Sequence, residues 1–130
     1  MAKAKTILVV DDIKFVRKTI TEILEKEKYQ VVGEASNGKE ALGLFAALKP
    51  DLVIMDLVMP EMNGIEATRI IVKAEKKAKI IIISAMKQES LIMEAIVAGA
   101  KDYLLKPFSD RDLIHAAGSV LAENALSKVS

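Results

Sequence analysis

This sequence predicts an α/β fold, a doubly wound parallel sheet, and three observations carry that expectation. Short apolar runs such as Ile7-Leu8-Val9-Val10, Leu52-Val53-Ile54-Met55 and Ile80-Ile81-Ile82-Ile83 show no in-out alternation, which suits strands covered on both faces. Stretches whose apolar residues recur at helical spacing separate these runs. The runs also end on polar groups, at Asp11-Asp12, Asp56 and Ser84.

Taken in order, β-branched Ile7 to Val10 form a first strand that stops at two acids. From Ile13 to about Lys28 the period becomes helical, with Ile13, Val16, Ile20, Ile23 and Leu24 on the inner face. Phe15 lies off that stripe, near the acids, and has two readings: edge packing, or a contact for a partner that must reach them. Tyr29 to Ala35 is the second strand, and Ser36-Asn37-Gly38 is a turn by composition. Ala41, Leu42, Phe45 and Leu48 give a second helix its buried side until Pro50 stops it. The Leu52 strand then delivers Asp56.

A third helix follows Gly64, carrying Ile65, Ala67, Thr68, Ile71 and Val72 and ending in the basic stretch from Ala74 to Lys77. The isoleucine run is a central strand ending on Ser84. Leu91, Ile92, Ala95 and Ile96 mark a fourth helix that closes before Gly99. Asp102 to Leu105 is a fifth strand, followed by Lys106-Pro107, and Ser109 or Asp110 caps a last helix with Leu113, Ile114, Ala117 and Leu121 inward. The tail begins at Glu123.

Composition narrows the function classes. The 130 residues are expected to form a single domain, 1–130, and a 52% hydrophobic share supports a packed core. Nineteen basic against 18 acidic residues leave a net charge of +1, which gives no general attraction to nucleic acid or anionic lipid. Without cysteine and with His115 alone, any metal must be held by oxygen. No apolar run reaches the roughly 18 residues of a membrane span, and the basic opening Met1 to Lys5 is followed by too short a run for an export signal, so the expected location is cytoplasmic.

Strands alternating with helices imply a parallel sheet with right-handed crossovers. Every strand's carboxyl end then lies along one edge, so Asp11, Asp12, Asp56, Ser84 and Lys106 converge in space. Carboxylates about 5 Å apart repel by roughly 3 kcal/mol per pair at an effective dielectric near 20. Oxygen ligands without His or Cys call for a hard divalent ion such as Mg²⁺. Acids, a cation, a lysine and a hydroxyl together can hold a phosphoryl group, and a carboxylate can accept it. Asp56, on the central strand, is the expected acceptor.

Those residues, spread from Ile7 to about Leu121, resemble a response-regulator receiver domain, most closely the stand-alone chemotaxis regulators. The resemblance implies a flavodoxin-like (βα)5 sheet of order 2-1-3-4-5. It also implies residue roles: Asp12 as direct Mg²⁺ ligand with Asp11 acting partly through water, and Asp56 as both phosphoacceptor and ligand. The Val58 carbonyl completes the metal site, Ser84 is the switch hydroxyl, Tyr103 the switch aromatic, and Lys106-Pro107 a lysine before a cis-prolyl bond. Taken singly, Asp12 reads as a helix cap, Ser84 as a turn residue, Lys106 as a surface charge and Tyr103 as core; five in order at strand ends reverse those readings. His115, off the apolar stripe, reads as solvated.

The implied function is a phospho-acceptor switch in a two-component system rather than a turnover enzyme. It supplies the active site for its own phosphorylation by a histidine kinase of the chemotaxis (CheA-like) type. The implied readout surface is the fourth helix, fifth strand and fifth helix, toward a flagellar motor switch protein. Val58 and Met86, each two residues beyond a site residue, are apolar and cannot orient an attacking water, which predicts slow self-dephosphorylation. A phosphorelay intermediate and a receiver cut from a longer regulator stay open. A flavodoxin-like electron carrier fits less well, because Asp11-Asp12 would repel its cofactor phosphate, and an aspartyl phosphatase lacks its second acid where Val58 stands.

Overall fold

The computed structural model describes residues 3–127, with side chains described through 122. The single domain expected over 1–130 therefore extends at both ends beyond the described residues. Ten elements alternate: β1 (Thr6–Val10), α1 (Lys14–Lys26), β2 (Gln30–Ala35), α2 (Gly38–Leu48), β3 (Leu52–Asp56), α3 (Gly64–Ala74), β4 (Ile80–Ser84), α4 (Glu89–Ala98), β5 (Asp102–Leu105) and α5 (Asp110–Ser127). The strands form one parallel sheet in the order β2-β1-β3-β4-β5.

Side chains alternate across each strand, and on the three central strands β1, β3 and β4 both sides are buried. Leu8, Val10, Val53, Met55, Ile80 and Ile82 enter one core with residues of α2, α3 and α4. Ile7, Val9, Leu52, Ile54, Ile81 and Ile83 enter the other, against α1 and α5. All four residues of the isoleucine run are fully buried, and at about 1.5–3 kcal/mol for each such side chain the central strands are the firmest part of the molecule. Three helices start on side-chain caps: Asn37 Oδ1 accepts from Glu40 N–H (2.8 Å), Asn63 Oδ1 from Glu66 N–H (2.9 Å) and Ser109 Oγ from Asp112 N–H (3.0 Å). Of the two expected caps of α5, Ser109 is the one used.

The structure departs from the periodicity mainly at helix ends. Ile13 precedes α1 in extended conformation and is 53% exposed, so it lies outside the inner stripe. Helix α1 stops at Lys26, and Lys28 turns the chain at a φ of 71°. Leu48, in the last turn of α2, and Ile96, on the outer side of α4, are 39% and 43% exposed. Helix α3 ends at Ala74 because Glu75 becomes extended, so the basic stretch is loop. At the other end, α5 runs past Glu123 to Ser127. None of these shifts moves a strand end, and the strand ends position the site.

Candidate functional site

Parallel register brings the polar strand ends together. Val10 pairs with Met55, so the residues that follow them, Asp11 and Asp56, leave adjacent strands side by side. Asp56 pairs with Ile83, which sets Ser84 one step beyond on the neighbouring strand, and Ser84 pairs with Leu105, just before Lys106. From β5 the Lys106 side chain reaches back across β4. Its Nζ lies 3.1 Å from Asp11 Oδ2 and 3.2 Å from Asp56 Oδ1. Lys106-Pro107 is a cis peptide bond, as the resemblance implies.

Asp11, Asp12 and Asp56 each offer a carboxylate oxygen, and these atoms lie within 4.8 Å of one another. The three differ in setting. Asp11 is fully buried: its Oδ1 accepts from Ile13 N–H (2.9 Å) and its Oδ2 faces Lys106. Asp12 is exposed, and α1 has no side-chain cap, so the capping role open to Asp12 is not the one it plays. Asp56 is buried at the strand end. Burial, reinforced by the Asp11 charge and opposed by Lys106, pushes its carboxyl up from 3.8 to about 6. Burial works against the charged ammonium of Lys106, yet Asp56 and Asp11 outweigh it and hold that group above its ordinary value. One ammonium between two carboxylates, with a third beside them, leaves excess negative charge in an all-oxygen cluster. That donor set suits a hard divalent cation.

The hydroxyl side of the site is also organised. Ser84, almost fully buried, accepts at Oγ from Met86 N–H (2.9 Å). The Met86 carbonyl in turn accepts from Tyr103 Oη at 2.8 Å. Val58 and Met86 stand on the loops after β3 and β4, and their side chains are 58% and 37% exposed. Gly64 lets α3 approach from the other direction: a Cβ there would lie 2.4 Å from the Asp56 carbonyl oxygen. Seven of the eight residues singled out from the sequence thus stand at the carboxyl edge of the sheet, and the eighth, Tyr103, lies within β5 and reaches the loop after β4 through its hydroxyl. Exposed His115 lies on α5, apart from them.

The family model for the response regulator receiver domain matches residues 7–118. This chain belongs to that family. Among its relatives, the chemotaxis protein CheY of Thermotoga maritima is 48% identical over 116 residues, 89% of this chain and 97% of that protein. CheY of Bacillus subtilis is 45% identical over 118 residues, 91% of this chain and 98% of the relative. Among solved structures, the CheX-CheY-BeF3-Mg²⁺ complex of Borrelia burgdorferi matches with a TM-score of 0.88 at 31% identity, covering 91% of this chain and 90% of that one. A CheY-like receiver protein of Methanospirillum hungatei matches with a TM-score of 0.89 at 28% identity, over 95% and 98%. The receiver is therefore a phospho-accepting switch of two-component signalling, of the CheY-like kind. No helix among its described residues is long and apolar enough to cross a membrane.

Sequence reasoning missed Arg17, whose guanidinium donates from Nη1 to the Asp11 carbonyl oxygen (2.6 Å) and from Nε to Glu34 Oε1 (2.9 Å). A signal was present. Arg17, Ile20 and Leu24 form an i, i+3, i+7 series, so this cation shares the face of two buried residues.

Proposed function

We propose that Asp56 accepts a phosphoryl group from a histidine kinase and that the switch is thrown through Ser84 and Tyr103. The observation that carries the reading is the placement of the Lys106 ammonium between Asp11 and Asp56 at 3.1 and 3.2 Å, in a cluster of three acids. Asp11, Asp12, Asp56 and the Val58 carbonyl are the groups that would hold Mg²⁺, which when bound neutralises charge on the phosphoryl oxygens. The Borrelia relative, whose complex includes BeF3 and Mg²⁺, supports that choice of ion.

An ionised Asp56 oxygen attacks the phosphorus of a phosphohistidine. The P–N bond breaks, and its electron pair stays on the departing imidazole. Lys106 stabilises the transferred oxygens, and Asp11 holds Lys106 in place. Ser84 Oγ already accepts the Met86 N–H, so its own proton is free to donate to a phosphoryl oxygen. That new bond draws the loop after β4 inward and biases the Tyr103 contact, so a local charge event is read at the α4-β5-α5 face. Met93 and Val97, 63% and 78% exposed on α4, give this face apolar anchors.

The kinase would approach beside Phe15, which is 75% exposed and lines an apolar groove with Val16, Ile20, Pro107 and Phe108 next to Lys106. Of the two readings of Phe15, its exposure favours the docking one. Kinship with CheY proteins supports a CheA-like kinase upstream, a flagellar motor switch protein downstream and action in the cytoplasm. Incubation with acetyl phosphate and Mg²⁺ tests the assignment. Wild type should gain one acid-stable, hydroxylamine-labile label and Asp56→Asn none; labelling of the variant at another residue overturns it.

A further inference from the structure

The main chain of Asp11 is held more tightly than a strand end requires. Its N–H donates to the Ala35 carbonyl at 3.0 Å, as ladder continuation demands. Its carbonyl leaves the sheet and accepts from Arg17 Nη1 at 2.6 Å, a charge-assisted bond from the first turn of α1. The guanidinium is oriented from its other side by Glu34 on β2, at 2.9 Å from Nε, and the Arg17 side chain is only 15% exposed. Both carboxylate oxygens of Asp11 are engaged, by Ile13 N–H and Lys106. The carboxylate left open is that of Asp12, the next residue, which projects from the peptide unit that Arg17 grips.

We infer that Arg17 is a positioning residue for the cation site: it fixes the Asp11-Asp12 peptide so that Asp12 faces Asp56, and Glu34 sets its orientation. This rests on the proposed role of the three acids in holding Mg²⁺. A planar guanidinium can satisfy the carbonyl and the carboxylate at once along two edges, which an ammonium at a single point cannot do. Glu34 also takes up the guanidinium charge, so Arg17 orders the acids without supplying them with a resident counter-ion. The chain thereby keeps the carbonyl bond while leaving the cluster negative enough to bind a metal.

Outer-shell partners of metal ligands are typically worth 10–100-fold in affinity, and Arg17 acts through main chain, so the lower end applies. Calorimetric titration with MgCl2 is expected to show affinity about tenfold weaker in Arg17→Ala. Arg17→Lys and Glu34→Ala should each lose less, and the double variant Arg17→Ala/Glu34→Ala should be no weaker than Arg17→Ala, because the two side chains act as one unit. The half-saturating Mg²⁺ concentration for labelling by acetyl phosphate should rise in parallel, while the labelling rate at saturating Mg²⁺ stays at the wild-type value. A general loss of structure would lower that maximum instead, and would overturn the inference. Absence of Mg²⁺ uptake by wild type defeats the proposed function itself. Wild-type uptake with unchanged affinity in Arg17→Ala overturns this inference and leaves that function standing. Should Arg17→Ala fail to fold, the decision falls to Arg17→Lys and Glu34→Ala, and unchanged affinity in both overturns it.

Discussion

Tyr103 donates its phenolic proton to the main-chain carbonyl of Met86, 2.8 Å away, and the N–H of that same Met86 donates to Ser84 Oγ. One residue of the loop after β4 therefore ties the Ser84 hydroxyl at the strand end to the half-buried Tyr103 ring. Removing only the phenol oxygen should uncouple them. Tyr103→Phe keeps the half-buried ring, frees the Met86 carbonyl to water and destabilises the fold by no more than about 1 kcal/mol. Amide exchange at Met86 is expected to quicken while labelling of Asp56 keeps its rate. Unaltered exchange would show that the tie carries no coupling.

Asp56 gives a pH dependence whose sign is opposite to that of an ordinary ion-paired aspartate. Its folded-state pKa is raised to about 6 from 3.8, burial being the larger cause and Asp11 the next. The folded chain then holds this proton more tightly than the unfolded chain does. Its contribution to stability is complete below the unfolded value and is lost as pH rises through about 6. At pH 7 the ionised group costs about 3 kcal/mol. In metal-free buffer Asp56→Asn should be more stable than wild type near neutrality, with the difference closing toward about pH 4, where both side chains are neutral. Urea denaturation across that range measures it; a variant less stable than wild type at pH 7 would contradict the desolvation argument.

Most of the site was legible because a parallel sheet turns sequence order into spatial order. Short β-branched runs ending at Asp11, Asp56 and Ser84 announce both the strands and the edge where their ends meet. What was not legible depends on contacts rather than pattern. The inward position of Arg17 was readable from its spacing to Ile20 and Leu24, but its bond to the Asp11 carbonyl was not, because main chain carries no sequence signal. Leu48 and Ile96 obey the helical period and are still partly exposed, since period gives a direction and not the extent of the surface that covers it. The end of α3 at Ala74 is marked by neither Gly nor Pro; the chain leaves the helix at extended Glu75 and runs through Ala78 and Lys79 to the start of β4 at Ile80. The sheet order and the cis bond before Pro107 came through resemblance and were out of reach of periodicity.

Two glycines in helices should respond to the same change in opposite ways. A Cβ on Gly64 would lie 2.4 Å from the Asp56 carbonyl oxygen and 3.1 Å from Leu57 Cα, both main-chain atoms with little room to yield. Gly64→Ala should destabilise by about 1–3 kcal/mol and slow labelling, because relief comes only by moving the strand end that carries Asp56. Gly43, exposed inside α2, meets nothing within 4 Å. Gly43→Ala should stabilise by about 0.5–1 kcal/mol through helix propensity alone and leave labelling untouched. Thermal denaturation of the pair separates the two effects, and a neutral Gly64→Ala would contradict the close packing of α3 on Asp56.

On the proposed reading, in which Asp56 carries the phosphoryl group, Val58 and Met86 should set the lifetime of the phosphorylated state. A water attacking the phosphoryl group in line must be oriented by a hydrogen-bonding neighbour, as a positioned base or acceptor does in other hydrolyses. Val58 and Met86 stand two residues past Asp56 and Ser84, 58% and 37% exposed, and neither side chain offers an oxygen or nitrogen. Neither would orient an attacking water, which is the basis for expecting slow self-dephosphorylation. Val58→Asn supplies a donor and an acceptor on the loop that begins at Asp56, without touching the acids or Lys106. It should speed dephosphorylation by about tenfold, equivalent to about 1.4 kcal/mol at the transition state. Since Val58 is exposed, stability should change by no more than about 0.5 kcal/mol. A phosphate-release assay on the isolated, labelled protein gives the rate; an unchanged or longer lifetime would mean that water is positioned by another group and that the apolar pair is incidental.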